Sequence, residues 1–192
     1  MQIEELVVEL SKDPFNPELN FACAQEYDRL GQTASAVSFY LRTAEYGYET
    51  HRKLAYQSLL RTSICFENQN DRKYTVSNCI LQAVELCPNE VEGYFLMSRF
   101  HERNGEWQEA YTWSGIGLDL VDGMEDRSYS NPFLDYEGDY SLMFERAVCG
   151  WWVGRVEEAK DLFHTMLLMN IKDNYRSAIV DNLKRIDPNA GL

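Results

Sequence analysis

Apolar positions recur along this chain with the three-to-four-residue step of an α-helix, almost from end to end. Ile3, Leu6, Val7 and Leu10 open it at i, i+3, i+4 and i+7, which predicts an amphipathic first helix over residues 1–13. Tyr175, Ile179, Leu183 and Ile186 make a similar stripe and predict a last helix over 172–187. Between them, glycines punctuate the pattern. Gly31, Gly105 and Gly154 each have a small residue seven positions before (Ala24, Ser98, Ala147) and another five after (Ala36, Ala110, Ala159). Mostly bulkier residues stand eleven before (Asn20, Tyr94, Met143) and nine after (Tyr40, Ser114, Phe163). This is the spacing of a helical hairpin. The glycine supplies the positive φ that ends the first helix, and small residues on facing helices let the two axes approach.

A looser copy lies between the first two glycines. Its turn, residues 67–72, is one residue longer, with Asp71 in the glycine's place. Ser63 and Phe66 fit its first helix, and Val76, Ile80 and Ala83 its second. The markers are then 40, 34 and 49 residues apart, so about fifteen extra residues fall near 121–138. All five prolines (14, 17, 88, 132 and 188) sit at junctions and interrupt no helical pattern. The expected layout is one all-α domain over 1–192. It has a first helix at 1–13, hairpins at 17–46, 50–87, 89–120 and 139–169, a long loop at 121–138 and a last helix at 172–187. The end helices suit caps, because a stack of repeats needs a polar outer face at each end; a chain cut at repeat junctions from something longer would read the same.

The pattern resembles the tetratricopeptide repeat. The third copy carries it best, as Tyr94-x2-Met97-Ser98-x2-His101-x3-Gly105-x4-Ala110 opened by Pro88. The first copy reads Ala24-x2-Tyr27-x3-Gly31-x4-Ala36-x3-Tyr40, and the fourth departs, with Gly150 where an aromatic is usual. The resemblance implies a right-handed superhelix of about four hairpins whose inner helices line a concave, peptide-binding groove. More loosely, the run from Pro88 to Asn170 resembles the helical-repeat region attached to family 2 glycosyltransferases of bacteria and viruses. Pro88-Asn89-Glu90-Val91-Glu92-Gly93-Tyr94, Asp135-Tyr136 and Trp152-Val153-Gly154-Arg155 carry that likeness.

Charge narrows the partners. Among 192 residues, 31 acids outnumber 18 bases, a formal charge of −13. A nucleic-acid binder needs positive charge to displace phosphate counterions, and anionic lipid is disfavoured for the same reason. Glutamates break the apolar run that an export signal would need at the start, and no stretch approaches a membrane span. Cys23, Cys65, Cys79, Cys87 and Cys149 lack CxxC spacing and read as thiols in a reducing, cytoplasmic compartment.

Ten residues before each glycine stand Phe21, Phe95 and Phe144, and the longer second turn adds Leu60. Each is about 100° around from the stripe facing the partner helix. The next turn gives Gln25, Ile64, Arg99 and Val148, and the one after gives Asp28, Glu67, Glu102 and Trp151. In the resembled family this face lines the groove, so the expected groove has an apolar lip, a mixed middle and an acidic floor. It would suit a neutral or basic protein segment with apolar anchors. The competing reading buries the row between successive inner helices, or under the 121–138 loop through Tyr129, Phe133 and Tyr136. The Lys, Asn and Arg clamp by which some family members grip a terminal carboxylate has no matching residues here.

No catalytic constellation emerges. His51, His101 and His164 share no ligand-like spacing, and His101 falls in a slot between helices, as a core histidine would. There is no G-x-S-x-G, no phosphate-cradling glycine loop and no Asp-x-Asp. Neighbouring acids such as Glu157 and Glu158 diverge on a helix and read as solvated charges. Trp151-Trp152 invites sugar stacking, but the plainer expectation places Trp152 inside the fourth hairpin and Trp151 on the groove. The sequence thus points to a non-catalytic protein-interaction module without metal or cofactor. Two alternatives stand beside it: an accessory region working with a glycosyltransferase catalytic domain, and a self-associating structural protein.

Overall fold

The computed structural model describes residues 3–69, 72–124 and 129–186. Asp71 of the second turn, residues 125–128 of the long loop and the junction at Pro188 lie outside these. Among the described residues, ten α-helices follow one another: α1 (Ile3–Lys12), α2 (Pro17–Arg29), α3 (Thr33–Gly47), α4 (Arg52–Glu67), α5 (Lys73–Leu86), α6 (Glu92–Arg103), α7 (Trp107–Asp122), α8 (Asp139–Trp152), α9 (Val156–Leu167) and α10 (Asp173–Ile186). A short 3-10 turn, Pro132–Leu134, interrupts the segment before α8. Among the same residues there is no strand, and no helix is long and apolar enough to cross a membrane. The chain divides into two compact units, one up to Gly93 and one from Tyr94 on.

In the first unit, α1 turns Leu6 and Leu10 onto Cys23 of α2, with Leu19 and Phe39 closing the cluster. Pro17 starts α2, and the Asn16 side chain accepts from the Leu19 N–H at 3.0 Å, a standard N-cap. Gly31, at φ +70°, ends α2, and the Gln32 N–H returns to the Tyr27 carbonyl at 2.9 Å. Ala24, Ala36 and Tyr40 are all fully buried, so the small-residue spacing does mark a close helix pair. Tyr56 of α4 anchors the end of the unit. Its hydroxyl accepts from the Gly93 N–H at 2.9 Å and donates to Glu92 at 3.2 Å.

The second unit repeats the logic. Gly105 and Gly154 have φ of +74° and +82°. Ser98, Ala110, Ala147, Ala159 and Phe163 are fully buried, and the Ser98 hydroxyl donates across to the Ala110 carbonyl at 2.9 Å. At Gly117 a Cβ would stand 2.8 Å from the tip of Leu142 of α8 and 3.1 Å from Tyr94 of α6, so glycine leaves room for these side chains to pack closely on α7. Arg146 sits over the Tyr111 ring, 3.5 Å from its centre, and donates to Glu158 at 2.8 Å, which clamps α7, α8 and α9 together. Ile179 and Leu183 of α10 are buried on Met143, Ala147 and Phe163, while Tyr175 and Ile186 pack at the edges.

The long loop is ordered where described. Asn131 and Tyr136 pair in an isolated antiparallel bridge, with N–H to O distances of 2.6 and 3.1 Å. Asp135 turns the chain with φ 57°, and Leu134 and Tyr136 are buried.

Candidate functional site

The expected groove residues meet different fates. Phe21 is half-buried, edge-on to Tyr40, and Gln25 is exposed. Asp28 accepts hydrogen bonds from the Tyr40 hydroxyl and the Arg61 guanidinium. Glu67, Glu102 and Val148 are half-buried, and Trp151 is exposed.

Leu60 and Phe95 do not form part of an exposed lip. Leu60 is 0% and Phe95 1% exposed, and Ile64 is buried as well. Two causes act. The helix α4 buries nine of its sixteen residues, the polar Ser58, Thr62 and Ser63 among them, so the face that carries Leu60 is packed and leaves no oily stripe for a ligand. Phe95 is roofed by the long loop: the Tyr136 ring stands edge-on to it at 5.5 Å, and the Arg99 guanidinium lies 5.2 Å from its centre.

The tryptophans differ from expectation too. Trp152 is 58% exposed and stacks on Trp107 at 4.9 Å, outside the hairpin. The ridge of α9 already fills the hairpin with Phe163 and Met166. His101 is half-buried, its Nδ1 2.6 Å from Glu106 at the start of α7, so it belongs to a helix-terminus pair and not to the core. Among the described residues, no group of His, Cys, Asp or Glu has the arrangement of a metal site. All five cysteines are free thiols, four of them buried, and burial pushes Cys65 up to about 11.

Two of the expected residues, Arg99 and Phe144, meet in one cavity of about 390 Å³ in the second unit. Asp135 and Glu137 of the loop, Glu145 of α8, and Asn174, Tyr175 and Ala178 of α10 complete it. Phe144 is half-buried, edge-on to Tyr175 at 5.2 Å and to Phe163 at 6.0 Å, so its position is fixed from both sides. Arg99 is 3.7 Å from Asp135, and Lys172 donates to Glu137 at 2.6 Å.

Glu145 is the residue that sequence reasoning missed. It is 8% exposed, and burial, reinforced by the neighbouring Glu102, pushes its carboxyl up to about 8 against the pull of Arg99 and Arg103. A signal for it existed: the same inner-helix step reads Ala22, Arg61, Leu96 and Glu145 through the four repeats. A lone acid in a slot that two copies fill with apolar side chains marks an unusual environment.

A second hollow, about 650 Å³, lies in the first unit among Leu41, Tyr48 and Leu59, with Glu45, Glu49 and Glu85 around it. It is wide and contains none of the expected groove residues.

No family model matches the chain in sequence, and no curated protein does. Solved structures do match. MamA superposes with a TM-score of 0.65 at 16% identity, covering 86% of this chain and 84% of that one. A thermophilic TPR protein of Thermus thermophilus, TTC0263, gives 0.63 at 17% identity over 94% of this chain and 88% of its own. YrrB, described as a TPR protein with an unusual peptide-binding site, gives 0.57 at 12% identity over 98% and 77%. The narrower likeness to a glycosyltransferase-attached region rests on sequence alone. The glycine turns, the nested alanine and serine pairs and these superpositions agree: this chain has the all-α fold of the tetratricopeptide repeat.

Proposed function

We propose that this chain is a non-catalytic protein-interaction module that holds a protein segment, neutral or basic and with apolar anchors. The carrying observation is the Phe144 cavity. An aromatic wall at an expected groove position stays open to a ligand, beside carboxylates of a chain with a formal charge of −13. The peptide-binding site of YrrB, a protein of the same fold, supports the reading. Half-buried Phe21 and exposed Gln25 offer further contact in the first unit. An acidic, aromatic-walled surface recruits basic segments over acidic ones by charge complementarity.

The test is affinity capture from the native host, with bound proteins quantified by mass spectrometry. Phe144→Ala removes the wall, and Asn174→Trp blocks the mouth from an exposed position on α10. Both should lower recovery of the principal partner at least about tenfold, the effect of losing one well-packed anchor. The control Leu81→Ala, on an exposed position of α5, should not. Unchanged recovery with both cavity variants refutes the assignment.

A further inference from the structure

We propose that the cavity walled by α6, the 129–138 loop, α8 and α10 receives an arginine side chain of the bound segment, with Glu145 as its anion. The inference rests on the segment-binding reading above and names the anchor. Glu145 is more than nine-tenths buried, yet it lines the cavity and makes no hydrogen bond with any described residue. A carboxyl group offers about four acceptor positions, and those of Glu145 are not sealed from solvent but belong to the wall of the hollow, where no side chain meets them. Such a group is normally satisfied, so an orphan facing a hollow points to something that fills the hollow.

The neighbours explain why no side chain of this unit supplies the donor. Arg99 is drawn to the Phe95 ring and to Asp135. Lys172 is held by Glu137. From α6, Arg99, Glu102 and Arg103 act on Glu145; the loop adds Asp135 and Glu137, α10 adds Tyr175, and Cys149 lies one turn along α8. With Glu145 ionised, four carboxylates face three cations once Lys172 is counted. The excess is one negative charge, which an incoming guanidinium cancels.

Shape selects arginine over lysine. A guanidinium matches a carboxylate with two parallel N–H···O bonds and keeps donors free for Asp135 or Glu137. Its plane stacks on aromatic faces, and Phe144 and Tyr175 supply them. The methylene stem runs along Ala178. A proton accompanies the step: Glu145 enters largely protonated near neutral pH, gives its proton to solvent, and pairs as the carboxylate.

The probe is N-acetyl-L-arginine N-methylamide, titrated into the full chain and followed by NMR. The matching lysine, norleucine and glutamate derivatives are run beside it. The arginine compound should bind saturably and at least about tenfold more tightly than norleucine. Its affinity should rise roughly 25-fold from pH 6.5 to 8.5, the linkage expected when a carboxyl titrating at about 8 must release its proton to bind. Glu145→Gln should abolish both effects while the chain stays folded, and Asn174→Trp should do so by blocking the mouth. Equal binding of all four probes, preference for lysine, no saturable binding, or indifference to both variants overturns the proposal. If partner capture still depends on Phe144 while arginine preference is missing, the arginine anchor falls and the interaction module stands. If capture is also indifferent to Phe144, both fall.

Discussion

Arg61 and Glu145 occupy the same step of the inner helix, one in each compact unit, nine residues before Gly154 and ten before Asp71 because the second turn is longer. Arg61 is mostly buried with a partner: Asp28 accepts from its guanidinium and from the Tyr40 hydroxyl, tying α2, α3 and α4 together. Glu145 is buried more deeply and has a cavity in place of a partner. One fold thus handles an inward-facing charge in two ways. Neutralised within the unit, it becomes a lock. Left unpaired beside a hollow, it raises the free energy of the folded chain and leaves a binding opportunity.

Three experiments bear on that contrast. The largest effect should come from the orphan. Its carboxyl is pushed from 4.5 up to about 8 by burial and, secondarily, by Glu102. The folded chain therefore holds this proton more tightly than the unfolded one. The stabilisation is complete below pH 4.5 and drains away as pH rises to about 8. The gap of 3.5 (8 less 4.5) sets an upper bound of about 5 kcal/mol. Urea unfolding of wild type and Glu145→Gln from pH 4.5 to 9 should show the wild type losing ground steadily; parallel curves would mean the carboxyl is not desolvated. Next comes the lock. Arg61→Leu leaves Asp28 with only Tyr40 and should cost about 2 kcal/mol, less than a fully buried pair because both partners keep some solvent contact. Asp28→Asn in the same chain should recover part of that in a double-mutant cycle; simple additivity would deny the coupling. The smallest test supplies the missing partner. Ala178→Lys places an ammonium beside the cavity and should move the Glu145 transition in the stability profile down by about one pH unit.

What could be read in advance follows a physical divide. The backbone demand at Gly31, Gly105 and Gly154 and the close approach of Ala24 to Ala36 or Ser98 to Ala110 are local, so fixed spacing exposes them. The exposure of Phe95 is not local. It depends on Tyr136, forty-one residues on in a loop whose path no periodicity encodes. Leu60 follows the same lesson: its 100° offset placed it on a face of its own, but α4 buries nine of its sixteen residues and that face is covered. Glu145 lay between these cases. Its slot was visible by comparing repeats, while its lack of a partner depended on where Arg99 and Lys172 turned.

The three turns have one more consequence, and it concerns handedness. At Gly31, Gly105 and Gly154 no atom beyond the neighbouring residues lies within 4 Å of where an L side chain's Cβ would stand, yet φ is +70°, +74° and +82°. Crowding is not the obstacle to an L side chain there; the positive φ is, and it strains most L residues. A D-alanine would sit in its own favoured basin at all three corners and would narrow the unfolded ensemble that glycine leaves broad. At the hairpin corners the backbone runs in the conformation that mirror-image building blocks favour.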